Sequence, residues 1–245
     1  MREVRLFVDV PLAPGEDLQL PQDAAGHTVR VLRLKAGDPV ILFNGDGRQY
    51  PGRLVTANPR AASVHVEAME TPARESPLRS TLIQSLARGE KMDWIIQKAT
   101  ELGAARILPV TSERSEVRLD GARGGKRLDH WRAIAIAACE QCGRNVVPEI
   151  GAPASLDACL AAHPQASTEV RWMLHPGGTT RLRNFASAPK NVMLAVGPEG
   201  GFSGNDLAAL RQAGFGELAL GPRVLRTETA GLAAMAALQA VCGDF

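Results

Sequence analysis

The hydrophobic pattern of this sequence changes near residue 75, and the change limits the folds that the chain can adopt. Before it, short runs rich in β-branched residues are separated by turn signals such as Asn44-Gly45-Asp46-Gly47, a pattern typical of strands joined by tight turns. One helical piece, at about residues 23–34, interrupts them. We therefore predict a small β-barrel or sandwich over residues 1–72 and a linker at 73–78, because the stretch at 70–77 is polar and carries two prolines. The predicted strands are 2–8, 39–43 and 63–67.

Beyond the linker, apolar strands alternate with amphipathic helices. In the first helix the apolar residues between Met92 and Leu102 recur at helical spacing, and Gly103 provides a stop. Such alternation predicts βα units around a mainly parallel sheet, and hence an α/β domain over residues 79–245. The predicted strands are 80–86, 105–110, 146–150, 170–174, 191–196 and 217–220, and the later helices are 127–142, 156–162, 205–213 and 229–242.

The composition narrows the classes of protein to consider. Of the 245 residues, 45% are hydrophobic and 22% are charged, as in ordinary globular chains. No apolar run approaches the roughly 18 residues of a membrane span, and the first residues lack the apolar core of a signal peptide. Four cysteines are too few for a disulfide scaffold, so we expect a reduced, cytoplasmic setting. Aromatic residues make up 4%, which argues against a stacking platform for single-stranded nucleic acid.

The net charge of +2 conceals a basic stretch in the middle of the chain. Residues 114–132 hold six basic and three acidic side chains. Such a stretch can neutralise phosphates, but a solvated loop and helix face explains it more simply. Charge alone therefore does not identify a nucleic-acid-binding protein.

A glycine-rich segment is the sharpest local feature. Gly197-Pro-Glu-Gly-Gly-Phe202 lies between an apolar strand and a helix that Ser203 or Asn205 can cap. Glycines at the carboxyl end of a parallel strand let a ligand approach the backbone, and the amides of the following helix are free donors. A tight turn that needs glycine for its torsions explains the same residues.

Two further loops follow strands in the same way. One is residues 221–230, where Thr227 or Thr229 is a suitable N-cap and Glu228 suits a helix start. Capping does not explain the apolar Val224-Leu225 beside Arg226, a combination that suits a flat heteroaromatic ring. The other is His175-Pro-Gly-Gly178. Because parallel strands end at one edge of a sheet, the three loops are expected to converge on one pocket.

Familiar cofactor and metal motifs are absent from the sequence. It contains no P-loop, no Gly-x-Gly-x-x-Gly after the first βα strand and no Gly-x-Ser-x-Gly elbow. Cys139-Glu-Gln-Cys142 lacks a second ligand pair for zinc and closes a helix where a redox pair would open one. We therefore expect it to be a helix end, and we expect no metal.

Several short motifs together resemble one family. Gly197-Pro-Glu-Gly-Gly-Phe202, Leu220-Gly221 and Leu225-Arg-Thr-Glu-Thr-Ala230 resemble the SPOUT-class RNA methyltransferases. With the earlier motifs, they resemble the 16S ribosomal RNA (uracil-1498-N3)-methyltransferase family over nearly the whole chain. One departure is Cys142, where a small residue such as Ser is expected. The earlier motifs are His27 with Val31-Leu-Arg33, Gly89-Glu-Lys-Met-Asp-Trp94, Gln97-Lys-Ala-Thr-Glu-Leu-Gly103, Glu113-Arg-Ser115 and Glu140-Gln-x-x-Arg144.

The resemblance implies an architecture and a cofactor. The implied fold is a PUA-like β-barrel followed by an α/β SPOUT domain with a C-terminal trefoil knot, in a cytoplasmic homodimer that acts on 16S rRNA of the 30S subunit. S-adenosylmethionine is the implied methyl donor, held in the knot against the three loops. Its implied surroundings are Leu174, His175, Gly197, Pro198, Glu199, Gly200, Leu220, Gly221, Leu225, Arg226, Thr227, Glu228, Thr229 and Ala230.

The implied reaction needs a proton acceptor and a stabilising cation, because N3 of uracil is nucleophilic only as its anion. Arg226 is predicted to stabilise that anion, since a guanidinium offers fixed donors to O2 or O4. Glu199 or Glu228 is predicted to take the proton. For Glu228, a role at the helix start is an equally good explanation.

RNA docking is expected at basic side chains of both domains. Lys91 and Lys98 share a helix face at a spacing of seven residues, although a solvated helix surface explains them too. The full predicted set is Arg5, His27, Arg30 and Arg33 in the barrel and Lys91, Lys98, Arg114 and Arg144 near the knot.

Two other functions stay open. One is a SPOUT enzyme that acts on another base or a ribose 2′-hydroxyl of rRNA or tRNA, which the motifs at 89–103 and 140–144 disfavour. The other is a non-catalytic RNA-binding or ribosome-assembly protein that keeps the fold, which the intact glycine segment and Arg226 disfavour.

Overall fold

The computed structural model describes residues 4–117, 121–182 and 189–245. The chain forms two compact units. One runs to Glu75 and includes Cys139–Val147, and the other comprises Ser76–Ala138 and Pro148–Phe245. The start of the strand predicted at 2–8 and part of the basic stretch at 114–132 lie outside the described residues.

The N-terminal unit contains a five-stranded sheet. Its strands are β1 (Arg5–Phe7), β2 (Asp17–Gln19), β3 (Pro39–Phe43), β4 (Tyr50–Thr56) and β5 (Ser63–Val66). Their order is β1-β3-β4-β5-β2, with β1 parallel to β3 and the other pairs antiparallel. The three strands expected from the sequence are present, and their apolar side chains, with those of β4, contribute to the buried core of this unit.

Strand β4 contains residues that disfavour strands, so the sequence pattern did not predict it. Pro51 and Gly52 stand in its first half, although it pairs with both β3 and β5. A Cβ atom at Gly52 would collide with the carbonyl oxygen of His65, so the close approach of β5 requires glycine there.

The helical piece expected at residues 23–34 has two geometries. Helix α1 (Gln22–Gly26) continues into a π-helical turn, His27–Val31. The segment then leaves helical geometry at Arg33, whose φ of 59° is the only positive value at a described residue other than glycine.

The C-terminal unit contains a seven-stranded parallel sheet. The path along it is β12-β10-β11-β6-β7-β8, and β9 also pairs with β7. Every pair is parallel, in agreement with the mainly parallel sheet that was predicted. The strands are β6 (Arg79–Ser85), β7 (Ala104–Thr111), β8 (Glu149–Ile150), β9 (Ala154–Ser155), β10 (Glu169–Leu174), β11 (Asn191–Val196) and β12 (Gly216–Leu218).

Helices cover both faces of this sheet. The apolar residues of α4 and α5 pack on the face that carries Ile83 and Ala195. Helix α6 packs on the opposite face, where Gly231 brings its backbone close to Leu82 and Val196. The helices are α2 (Lys91–Glu101), α3 (Gly121–Cys142), α4 (Leu156–Ala162), α5 (Gly204–Gln212) and α6 (Thr227–Cys242).

Several predicted boundaries were wrong for local reasons. Helix α3 begins at Gly121 rather than at 127, because its first turns contain glycines that weaken the helical pattern. The strand predicted at 146–150 is reduced to Glu149–Ile150, since the amide of Val146 donates to the carboxylate of Glu75 in the N-terminal unit. The strand predicted at 217–220 is Gly216–Leu218.

The last crossover of the chain builds the site. Strand β12 lies at the edge of the sheet beside β10, whereas α6 packs against β11, β6 and α2. Residues 219–226 therefore pass the carboxyl ends of β10 and β11, where the glycine-rich segment begins.

Candidate active site

A cavity of about 610 Å³ opens at the carboxyl ends of β10, β11 and β12. The three loops singled out in the sequence converge on it, as expected. Of the predicted surroundings of the cofactor, Thr229 alone does not line the cavity; it is exposed on α6. The lining residues of that set are Leu174, His175, Gly197, Pro198, Glu199, Gly200, Leu220, Gly221, Leu225, Arg226, Thr227, Glu228 and Ala230.

The glycine loop, residues 197–202, is held at both ends. A Cβ atom at Gly197 would lie 3.0 Å from the backbone nitrogen of Phe202, so the loop folds back on itself too tightly for a side chain. At the other end Ser203 caps α5, and its hydroxyl and the carboxylate of Asp206 exchange backbone hydrogen bonds in a capping box. The predicted cap at Ser203 is confirmed.

The start of α6 differs from the prediction. Its N-cap residue is Arg226, without a side-chain hydrogen bond, so neither Thr227 nor Thr229 is the N-cap. The buried hydroxyl of Thr227 instead donates to the carbonyl oxygen of Gly197 at 2.6 Å and accepts a hydrogen bond from the side-chain amide of Gln84 at 3.0 Å. Thr227 thus ties α6 to β6 and to the glycine loop.

Both predicted proton acceptors face the cavity, and Lys91 lies between them. Its Nζ is 2.9 Å from Oε1 of Glu199 and 3.3 Å from Oε2 of Glu228. Burial raises the pKa of Glu199, but the hydrogen bonds from Lys91 and from the backbone amides of Glu199 and Arg88, together with the charge of Lys91, leave that pKa below its usual value. The hydrogen bond to Glu199 in turn raises the pKa of Lys91. A cation and two carboxylates thus meet at one wall of the cavity.

Arg226, the predicted stabilising cation, is exposed at the cavity and free to meet a ligand. Its guanidinium has no hydrogen bond or ion pair among the described residues. Its backbone carbonyl accepts from the amides of Thr229 and Ala230, which fixes the residue at the helix start. An unpaired guanidinium on a fixed backbone is suited to oxygens of a bound substrate.

The segment after β7 also holds the glycine loop, a contact that no local pattern in the sequence indicates. Nη1 of Arg114 donates to the carbonyl oxygen of Gly200 at 3.0 Å, and Asn205 donates to Glu113 at 2.7 Å. Hydrogen bonds from Ser203 and Asn205 lower the pKa of Glu113. The motif Glu113-Arg-Ser115 was the one signal in the sequence, but nothing local indicated its partner 86 residues away.

Comparison with known proteins identifies the family. A family model described as an RNA methyltransferase domain matches residues 74–239. The chain belongs to this family. A second model, described as an RNA methyltransferase PUA domain, matches residues 20–67 in the N-terminal unit.

Curated relatives and solved structures agree with these models. A protein named Ribosomal RNA small subunit methyltransferase E from Buchnera aphidicola (Schizaphis graminum) is 32% identical over 98% of this chain and 97% of its own length. The protein of the same name from Bacillus subtilis is 32% identical over 86% of this chain and 85% of its own. The solved Neisseria gonorrhoeae enzyme of that name, bound to S-adenosyl methionine, has 36% identity and a TM-score of 0.92 over the full length of both chains. A Legionella pneumophila protein solved with SAM has 38% identity and a TM-score of 0.94, also over both full lengths.

The basic side chains predicted to dock RNA fall into different environments. In the PUA unit, His27, Arg30 and Arg33 are exposed on and beside the π-helical turn. In the methyltransferase unit, Lys91 and Arg114 line the cavity, whereas Lys98 is paired with Glu101 at 2.8 Å.

Arg5 and Arg144 are buried, and the structure gives them structural partners instead of an open surface. Arg5 donates to Gln49 at 3.0 Å and to Asn145 at 2.5 Å, and Arg144 pairs with Glu75 at 2.7 Å. Each is less than a tenth exposed. Their guanidiniums hold residues 139–147 against β1 and the end of the PUA unit, so they are not presented to a phosphate backbone.

The two cysteines considered for zinc or redox chemistry have a structural role. Cys139 and Cys142 end α3 before Gly143, and burial raises the pKa of the Cys139 thiol to about 12. Within the described ranges no group of three or more His, Cys, Asp or Glu side chains is placed to hold a metal ion. No helix in those ranges has the length and apolarity to cross a membrane.

Proposed function

We propose that this chain transfers a methyl group from S-adenosylmethionine to N3 of the uridine at position 1498 of 16S rRNA. The observation that carries the proposal is the cavity in which Arg226 and Glu228 meet the glycine loop. The relatives named Ribosomal RNA small subunit methyltransferase E and the SAM-bound Neisseria structure support it.

The lining of the cavity fits this cofactor. Gly197, Gly200 and Gly201 line it without side chains, so the loop offers backbone to a ligand. Leu220, Val224 and Leu225 provide apolar contact for an adenine ring. The residues that would hold the cofactor are those of the glycine loop, Leu174, His175 and residues 220–228.

The reaction is divided between the cofactor and the chain. When bound, S-adenosylmethionine supplies the methyl group, whose bond to sulfur breaks with its electron pair left on sulfur as the bond to N3 forms. Oε2 of Glu228 is buried, makes no hydrogen bond among the described residues and meets Lys91 as an ion pair at 3.3 Å, so we expect it to accept the imide proton of uracil. Arg226 would donate to O2 or O4 and stabilise the anion. Most of the rate is then expected from positioning, with about 10²–10⁴-fold from the proton acceptor.

We also propose that the last crossover is part of a trefoil knot of SPOUT type. Residues 219–226 pass the glycine loop between the edge strand β12 and helix α6 on the other side of β10. The hydrogen bonds of Thr227 to Gly197 and Gln84 support this path, since they tie the returning chain to β11 and β6.

The proposed partners are a second copy of the chain and the 30S subunit, in the cytoplasm. Trp94 on α2 and Val241 and Phe245 at the C-terminus are large apolar side chains that stay 45–67% exposed, which supports a homodimer through the methyltransferase unit. His27, Arg30 and Arg33 are exposed and placed to contact rRNA phosphates.

The proposal is tested by methyl transfer from labelled S-adenosylmethionine to unmodified 30S subunits and to protein-free 16S rRNA, followed by nucleoside analysis. Label recovered as N3-methyluridine supports the proposal, and a requirement for the assembled subunit would show that the enzyme also recognises shape. Label recovered as a 2′-O-methylnucleoside or another base contradicts it. Cofactor binding without transfer to any RNA would also contradict it and favour a non-catalytic RNA-binding role.

A further inference from the structure

Lys91 connects the two carboxylates of the cavity from a third element. It is the first residue of α2, whereas Glu199 lies in the glycine loop and Glu228 is the second residue of α6. Its ammonium is in contact with both, at 2.9 Å and 3.3 Å, and its side chain is only 32% exposed. The sequence predicted an RNA contact for Lys91, but its charge is directed to the cavity.

The two carboxylates are not equivalent in their contacts. Oε1 of Glu199 accepts a hydrogen bond from Lys91 at 2.9 Å, and the backbone amide of Arg88 lies 3.5 Å from the same oxygen. Oε2 of Glu228 is buried, has no hydrogen bond in the described part of the chain, and meets Lys91 only as an ion pair. A buried acceptor without a donor is ready for a donor on a ligand.

The charge of Lys91 is placed to act directly on the carboxylate of Glu228. Among the described residues it is the one cation in ion-pair contact with that carboxylate. Two other cations of the cavity do not pair with Glu228. Arg114 donates a hydrogen bond to the carbonyl oxygen of Gly200, and the guanidinium of Arg226 has no partner among the described residues. The other charged and titratable residues that line the cavity with Glu228 are Lys91, Arg114, His175, Glu199, Arg223 and Arg226.

We propose that Lys91 is a positioning residue that is held mainly by Glu199 and thereby leaves Glu228 to take the proton from uracil N3. This inference rests on the proposed function. In the step, the N3–H bond breaks with its electron pair left on N3, and the proton moves to Oε2 of Glu228, which becomes neutral. Lys91 then stays paired with Glu199, so the protonation of Glu228 leaves no cation without a partner.

This arrangement makes two substitutions act in opposite directions. Lys91→Met removes the cation and leaves two neighbouring carboxylates, which raises the pKa of Glu228. Glu199→Gln removes the competing carboxylate and leaves Lys91 to Glu228 alone, which lowers that pKa.

The first test is a pH titration of the carboxyl resonances of the cofactor-free protein, labelled with ¹³C at the glutamate carboxyl groups. Glu228→Gln assigns the resonance of Glu228. We expect its midpoint to rise in Lys91→Met and to fall in Glu199→Gln. It should stay near the wild-type value in Lys91→Arg and in the control Lys98→Met, which removes a lysine paired with Glu101 on the same helix. An unshifted midpoint in Lys91→Met overturns the proposal.

The second test connects the carboxylate to the reaction. The single-turnover rate of methyl transfer is measured against pH for the same variants, with bound cofactor confirmed for each by equilibrium dialysis. The acidic limb should move to higher pH in Lys91→Met and to lower pH in Glu199→Gln. Carboxyl midpoints that shift while the acidic limb does not would overturn Glu228 as the proton acceptor. If the wild-type protein forms no N3-methyluridine, the proposed function fails, and the titration still decides the role of Lys91.

Discussion

The hydroxyl of Thr227 donates a 2.6 Å hydrogen bond to the carbonyl oxygen of Gly197, 30 residues earlier in the chain. Gly197 is the first residue after β11, and Thr227 is the first residue of α6. The contact joins the two loops that form most of the cavity, and Gln84 extends it to β6. The geometry of the site therefore depends on a buried series of hydrogen bonds from Gln84 through Thr227 to Gly197.

Replacement of Thr227 by Val is expected to destabilise the protein. The variant keeps the shape of the side chain but leaves the carbonyl of Gly197 and the amide of Gln84 without this partner, at a cost of about 1–3 kcal/mol in the free energy of unfolding. Urea denaturation measures the loss. Thr229→Val is the matched control, because Thr229 is exposed on the same helix. Equal stability of the two variants would contradict the role of this hydrogen bond.

Gly197→Ala is expected to weaken cofactor binding about tenfold, or 1.4 kcal/mol. The added methyl group would lie 3.0 Å from the backbone nitrogen of Phe202 and would open the glycine loop. Isothermal titration with S-adenosylmethionine measures the change. Gly204→Ala serves as the control, since a Cβ there meets nothing within 4 Å. Unchanged affinity in Gly197→Ala would show that the loop tolerates the side chain.

Arg226→Met is expected to lower the rate of methyl transfer by about 10²–10³-fold, as for loss of a donor to a developing anion. Cofactor affinity should change much less, because the proposed contacts of the guanidinium are with the uracil oxygens. Single-turnover rates and equilibrium dialysis separate the two effects. Arg223→Met removes the same charge from a neighbouring exposed position and should cost less. An equal loss in both variants would indicate a general electrostatic effect.

Local sequence predicted the frame of the site well. The strand that ends at Val196, the cap at Ser203 and the loop around Arg226 are each encoded within a few residues, so their patterns suffice. Parallel strands place their carboxyl ends at one edge, which explains why three separate loops were correctly expected in one pocket.

Contacts between residues that are far apart in the sequence could not be predicted. Thr227 looks like an N-cap because its local pattern is that of one, and only the return of the chain past β11 gives its hydroxyl a better acceptor. Arg5 and Arg144 look like surface cations, yet each is buried by partners remote in the sequence. Lys91 likewise meets Glu199 across 108 residues.

Glu140 is expected to make stability depend on pH in the PUA unit. Burial raises the pKa of its carboxyl, although the backbone amide of Phe7 donates to it at 3.0 Å. A carboxyl group whose pKa is raised in the folded state makes the protein less stable as pH rises from the ordinary pKa of the group through the raised one. The free energy of unfolding of Glu140→Gln, minus that of wild type, should therefore increase between acidic and neutral pH. Urea titrations at several pH values measure it, and a difference independent of pH would contradict the prediction.

The most direct test of the account is reverse transcription across position 1498 of 16S rRNA after unmodified 30S subunits are incubated with this protein and S-adenosylmethionine. A methyl group on N3 blocks the pairing edge of uracil, so we expect a stop immediately before that position, dependent on both protein and cofactor. Glu228→Gln and Arg226→Met should reduce the stop. Full read-through at 1498, with methyl label incorporated elsewhere in the RNA, would contradict methylation of N3 at that position by this protein.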